Sequence, residues 1–184
     1  MSWEQVYQQW LNEENIPENL KNELKDLNTD PEKCEDAFYA PLEFGTAGMR
    51  GILGAGINRM NIFTVRQATE GLARFMDTQD PETKRRGVAI AYDSRHMSPE
   101  FAMEAAKTLA KHDIPSFVFE SLRPTPELSF AVRYFKAFAG IMITASHNPA
   151  AYNGYKVYGE DGGQMPPADA DALTKYVQIG RAHV

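Results

Sequence analysis

The sequence predicts an α/β fold: a mixed, largely parallel sheet with helices on both faces, preceded by a helical N-terminal arm. Three observations carry that expectation. Apolar runs of strand length, GVAIAYD (87–93), PSFVFE (115–120) and AFAGIMI (137–143), alternate with helical patterns, SPEFAMEAAKTLAKH (98–112) and PTPELSFAVRYF (124–135). Strands separated by helices are the signature of parallel pairing through crossover connections. Upstream, Gly45, Gly48, Gly51, Gly54 and Gly56 crowd into one short stretch, and before them residues 2–38 follow a helical spacing.

In the arm, Trp3, Val6, Tyr7, Trp10 and Leu11 fall on one helix face, and Leu20, Leu24 and Leu27 repeat the pattern after Pro17, a good first helical residue. Asp30-Pro31 opens a third short helix. Residues 1–40 carry three lysines against ten acidic residues, a net charge of −7, whereas residues 41–184 balance to +1. The acids read as the solvated face of an arm whose apolar stripe packs on the main domain. From Pro41 the expected order is the glycine-rich stretch, a helix over Thr64–Met76, the alternation above, a hairpin in NGYKVYGEDGGQM with its turn at Gly-Glu-Asp-Gly, and a helix from Pro167.

These boundaries define a helical arm (1–40), an α/β domain (41–178) and a tail, IGRAHV (179–184), expected to be foreign to the natural chain. The codons ATC GGA AGA GCA CAC GTC, which would encode the tail, spell part of a common sequencing-library adapter. The natural chain is then expected to run on past Gln178.

Several function classes are disfavoured. The near-neutral main domain has no basic stripe with interleaved aromatics, so no nucleic-acid partner is expected. No apolar run approaches a membrane span, and MSWEQVYQQW lacks the regions of a signal peptide. The lone cysteine, Cys34, allows neither an internal disulfide nor a cysteine-based metal site. The expected setting is cytoplasmic.

Ligands of open α/β sheets bind beyond the carboxyl ends of the strands. Two segments end there in reactive side chains: AIAYDSRHMS delivers Asp93, Ser94, Arg95 and His96, and IMITASHNP delivers Thr144, Ser146, His147 and Asn148. Ser98-Pro99 reads as a helix N-cap followed by N1. A serine hydrolase is a poor fit, because neighbouring residues in extended chain point apart and no G-x-S-x-G elbow occurs. Neither G-x-x-x-x-G-K-[ST] nor G-x-G-x-x-G is present.

Phosphoryl transfer fits better. It needs a hydroxyl to carry the group, cations and N–H donors to spread its charge, and an acid/base group for the acceptor hydroxyl. Ser146 offers the hydroxyl. Lys156, returned by an expected turn at Tyr152-Asn153-Gly154, offers a flexible cation. Arg50, in the glycine-rich GTAGMRG loop, offers a second cation among exposed backbone N–H groups.

FGTAGMRG (44–51), INRMN (57–61), AYDSRHMS (91–98), RPTPELSFAV (123–132) and TASHNPAAYNGYKVYGEDG (144–162), five motifs in order, resemble the first domain of the α-D-phosphohexomutases, nearest the phosphoglucomutase branch. The resemblance implies that Ser146 is the phosphoserine, that it exchanges phosphate with a sugar monophosphate through glucose 1,6-bisphosphate, and that its phosphate ligates Mg²⁺. It implies Ser146, Lys156 and His147 as the catalytic residues, with Lys156 the acid/base or charge-stabilising group and His147, with Asn148, shaping the loop and its hydrogen bonds. Arg50, Thr46, Asn148, Ser146 and Lys156 become substrate contacts, with Asp93 and Arg95 in supporting roles.

The expected reaction interconverts glucose 1-phosphate and glucose 6-phosphate. Mannose or pentose phosphate is the alternative substrate, and a noncatalytic sugar-phosphate-binding or assembly module the alternative role. The remaining metal ligands, the sugar-specificity loop and the distal phosphate clamp belong to C-terminal domains that this stretch lacks, so the isolated piece is expected to be inactive. Asp169 and Asp171, in a predicted helix where i and i+2 diverge, are assigned no metal.

Overall fold

The computed structural model describes residues 1–45 and 48–180. The arm forms α1 (Trp3–Leu11), α2 (Glu18–Leu27) and α3 (Pro31–Phe38). Pro17 stands one position outside α2, at its N-cap, rather than inside the first turn. Asp30 caps α3 by accepting from the Lys33 amide. Leu20, Leu24, Cys34 and Phe38 close a small core with Tyr7, whose hydroxyl donates to the Leu24 carbonyl at 2.8 Å. Trp10 meets Phe38 and Phe63 edge-on, and Ala55 completes the cluster. Each large apolar side chain buried there contributes about 1.5–3 kcal/mol, which fixes the arm to the main domain.

The main domain runs β1 (Met49–Ile52), α4 (Ile62–Asp77), α5 (Pro81–Arg86), β2 (Val88–Tyr92), α6 (Ser98–Ala110), β3 (Ser116–Val118), α7 (Thr125–Phe135), β4 (Ala139–Ile143), β5 (Tyr152–Tyr158) and α8 (Pro167–Gly180). Helix α4 starts before the expected Thr64 because the Asn61 side chain accepts from the amides of Phe63 and Thr64. Helix α8 reaches Gly180, two residues into the IGRAHV tail; residues 181–184 lie outside the described residues.

The sheet order is β1-β5-β4-β2-β3. Strand β2 pairs in parallel with β3 and β4, whereas β5 pairs antiparallel with both β4 and β1. Four strands therefore share one direction, and β5 alone is reversed. This corrects the expected hairpin: after β5 only the Tyr158–Gln164 bridge remains of its second arm. It also corrects the expected turn at Tyr152–Gly154, which is strand; the chain reverses before it, between residues 146 and 151.

Helices α4, α6 and α8 cover one face, meeting Ile90, Ile141, Tyr155 and Val157; α7 covers the other, meeting Ala89, Ala91 and Met142. Strands β2 and β4 are buried throughout, which explains their unbroken apolar sequences. From β2 the chain crosses to β3 on one side, then returns through α7 to β4 on the other. The boundary between β2 and β4 is thus a topological switch point, where an open sheet offers its crevice.

Candidate active site

The loops after β2 and β4 meet at that switch point, tied by the Asp93 amide donating to the Ile143 carbonyl at 3.1 Å. The β4 loop leaves the sheet abruptly. Thr144 donates its amide to the Gly154 carbonyl, and its buried hydroxyl accepts from the Ser146 amide at 2.9 Å. Ser146 adopts φ +58°, the left-handed region that costs a residue with a Cβ about 1 kcal/mol or more, and is presented to solvent.

Because Ser146 is not extended, its neighbour does not point away. Ser146 Oγ lies 3.5 Å from His147 Nδ1, which corrects the expected divergence. That contact is at the outer limit of hydrogen bonding. Among the described residues nothing holds the other nitrogen of His147, so the ring lacks the orienting partner of a nucleophile-and-base pair.

Arg50 sits on β1, not in the glycine-rich loop. It faces Gly154 across β1 and β5, and Lys156 faces Met142 across β5 and β4. Alternation along β5 then places Arg50 and Lys156 on the α7 face of the sheet. Helix α7 packs on β2 and β4, so the two cations stand beyond its footprint. Glycine at 154 permits this arrangement: a Cβ there would lie 2.5 Å from the Thr144 carbonyl oxygen and 3.0 Å from that of Met49.

Arg50 Nη1 donates to Asn148 Oδ1 at 2.7 Å. Partial burial, and then the Arg50 charge, push the Lys156 ammonium below its ordinary range; Asp93 pulls the other way. Arg50 and Asp93 thereby both act on the charge of Lys156, and Arg50 reaches the Ser146 loop through Asn148.

Arg95 is bound up with the loop itself. Its Nη1 donates to the carbonyls of Pro149 and Tyr152 at 3.0 Å each, and its Nη2 to those of Ser146 and Asn148 at 2.8 Å each. Nε lies 3.4 Å from Asp93 Oδ2. Asp93 Oδ1 accepts from Ser98 Oγ at 3.0 Å, and Ser98 Oγ accepts from Asn153 Nδ2 at 2.9 Å.

Ser98 is therefore not the cap that its sequence suggests. Met97, at φ 65°, precedes α6, and Ser98 is a fully buried first helical residue whose hydroxyl links two loops. Asn153 stands inside the YNGY motif, but no sequence signal marks it for this task.

A cleft of about 380 Å³ opens between Asp93–His96 and Ser146, Asn148 and Ala150. Another cavity, about 440 Å³ between α1 and α4, contains Arg66 and Arg74, but Glu104 and Glu70 already neutralise them. Among the described residues no group of three or more His, Cys, Asp or Glu side chains could hold a metal ion. Asp169 and Asp171 are exposed on α8. The expected contact Thr46 lies outside the described residues. No helix among those described is long and apolar enough to cross a membrane.

Residues 41–182 match the family model "Phosphoglucomutase/phosphomannomutase, alpha/beta/alpha domain I". The chain is 47% identical over 150 residues to the phosphoglucomutase of Staphylococcus epidermidis RP62A, covering 82% of this chain and 27% of that protein. It is 43% identical over 169 residues to the phosphoglucomutase of Staphylococcus aureus USA300, covering 92% and 30% respectively. A crystal structure from Thermus thermophilus, provisionally named a phosphomannomutase, superposes with a TM-score of 0.67 at 33% identity over 75% of this chain and 30% of that one. The chain thus spans under a third of the length of these relatives. With the family model matching a stretch that includes Ser146, and relatives above 40% identity over most of its length, the chain belongs to the phosphoglucomutase/phosphomannomutase family.

Proposed function

We propose that the chain is the phosphoserine-bearing part of a phosphoglucomutase that interconverts glucose 1-phosphate and glucose 6-phosphate. The observation that carries this reading is the placement of Ser146: an exposed hydroxyl on a left-handed turn at the switch point, with Arg50 bound to the adjacent Asn148. The relatives named phosphoglucomutase are the more similar in sequence, at 43–47% identity against 33% for the mannose-named structure, which favours glucose.

In the proposed reaction the bond between phosphorus and Ser146 Oγ breaks and a bond to a free sugar hydroxyl forms. The sugar hydroxyl loses its proton and Ser146 Oγ gains one. Lys156, its pKa depressed by burial and by Arg50, is the group suited to carry that proton, because an amine nearer neutrality both gives and accepts. Arg50 balances the phosphate dianion, and Asn148 holds Arg50 against the loop. His147 serves as a neighbour of the hydroxyl rather than as its base. The bisphosphate then reorients and returns its other phosphate to Ser146, so glucose 1,6-bisphosphate is the intermediate and activator.

Family membership implies a magnesium ion. The described residues do not make a site for one, offering no cluster of ligating side chains. This chain would supply only the phosphate on Ser146, and the other ligands would come from domains that it does not span. The isolated stretch is accordingly expected to turn over little substrate. The cytoplasm is the setting we propose, where a lone cysteine such as the buried Cys34 stays reduced.

The test is to incubate the full-length protein with glucose 1,6-bisphosphate and to map phosphate by mass spectrometry. Label on Ser146, and loss of turnover in Ser146→Ala, are expected. An unlabelled Ser146, or an active alanine variant, would remove the proposal.

A further inference from the structure

We propose that Arg95 is a positioning residue that shapes the phosphate cradle: by collecting carbonyl oxygens on one side of the 146–152 loop it turns the amides of His147 and Ala150 outward. This rests on the reading of Ser146 as the phosphate carrier, and assigns the donors that would receive the phosphate.

A guanidinium has five N–H groups. In Arg95 four of them face the carbonyls of Ser146, Asn148, Pro149 and Tyr152, at 2.8–3.0 Å, and the fifth faces Asp93 at 3.4 Å. No donor is left for a substrate. The side chain is 13% exposed, so this charge works from beneath the loop. Asp93 anchors it, taking the Arg95 amide on Oδ1, while Ser98 and Asn153 continue the network to β5.

The consequence follows from peptide geometry. All peptide bonds described are trans, so the C=O and N–H of one unit point in opposite directions. With the Ser146 carbonyl drawn to Arg95, the His147 N–H faces away from it. The Pro149 carbonyl sets the Ala150 N–H likewise, and the Asn148 carbonyl precedes a proline with no N–H. The Asn148 amide is occupied by the Ala145 carbonyl and the Tyr152 amide by that of Pro149. Those of His147 and Ala150 have no partner among the described residues. Two unpaired N–H groups, fixed on the outer side of the loop that bears the hydroxyl, form a preorganised donor pair for a dianion.

The full-length protein tests this with Arg95→Lys, which keeps the charge but loses the fork. The expected result is a fall in kcat of about a hundredfold from the misplaced loop, with KM for glucose 1-phosphate changed by less than about threefold. Inorganic phosphate should shift the His147 and Ala150 amide resonances in the wild-type protein and fail to do so in Arg95→Lys. A raised KM at constant kcat would make Arg95 a substrate contact and overturn the proposal, as would an unchanged kcat. If the variant does not fold, the wild-type titration decides: amides that ignore phosphate refute the cradle. Because inorganic phosphate needs no turnover, the cradle can fail while Ser146 is labelled, or stand while it is not.

Discussion

Arg50 and Asn148, 98 residues apart, share a 2.7 Å hydrogen bond that fastens the edge strand β1 to the loop carrying Ser146. The bond holds a cation against the loop that bears the proposed phosphoserine and spends one donor of a guanidinium whose other side-chain donors have no partner among the described residues. If the pair acts as a unit, its members must not contribute independently. Asn148→Ala is expected to lower kcat/KM about tenfold and Arg50→Ala by about a hundredfold or more, with the double variant little worse than Arg50→Ala alone. A double-mutant cycle on kcat/KM measures the coupling, and strict additivity would show that the contact does not matter to turnover.

Lys156 titrates below an ordinary lysine because of burial first and Arg50 second. Arg50→Gln should therefore raise its pKa, and Asp93→Asn should lower it further, as read by the pH dependence of acetylation at that lysine. The sign for stability also follows. In the window between the depressed folded value and the ordinary value near 10.4, the unfolded chain holds more protons, so stability rises with pH there. At neutral pH the charged lysine opposes folding, and Lys156→Met is expected to stabilise the protein by about 0.5–1 kcal/mol while abolishing turnover. A lower melting temperature in that variant would contradict the assignment.

The alternation of strands and helices was legible because β2 and β4 are buried on both faces and so carry uninterrupted apolar runs. The carboxyl-edge placement of Ser146 followed from the same alternation. What escaped the sequence depends on partners far along the chain. Ser98 looks like a cap because Ser-Pro usually is one; its buried acceptor and donor, Asp93 and Asn153, are brought to it only by folding. Arg95 binds main-chain carbonyls, which every residue has, so no side-chain pattern marks its role. The expected hairpin failed because β5 is claimed on both edges by β1 and β4, leaving its downstream arm a single bridge.

His112, after α6, bridges two carboxylates of α4: Nδ1 lies 2.9 Å from Asp77 and Nε2 3.0 Å from Glu70. Burial pushes both carboxyls up, but Arg74 and His112 outweigh it at Glu70, and Lys84 and His112 at Asp77, so both are held below their ordinary values. Groups depressed on folding add stability above their unfolded pKa, near 4, that is lost as pH falls through the folded values. His112→Gln is expected to cost about 1–2 kcal/mol at neutral pH, allowing for partial exposure, and to flatten the acid limb of urea stability against pH. An unchanged acid limb would show that the bridge is not what lowers these carboxyls.

Gly154 is where β1, β5 and the Ser146 loop close on one another. A Cβ at this position would stand 2.5 Å from the Thr144 carbonyl oxygen, and backbone on two sides cannot yield as a side-chain tip can. Gly154→Ala must therefore push β5 away from Thr144, loosening the bond from the Thr144 amide to the Gly154 carbonyl and shifting Lys156 two residues on. Overpacking of this kind costs about 1–3 kcal/mol. The activity loss should exceed what lowered stability explains, since the loop and Lys156 move relative to each other. Urea unfolding and kcat measured well below the melting temperature separate the two effects; a variant that is less stable yet fully active would place the chemistry elsewhere than between Ser146 and Lys156.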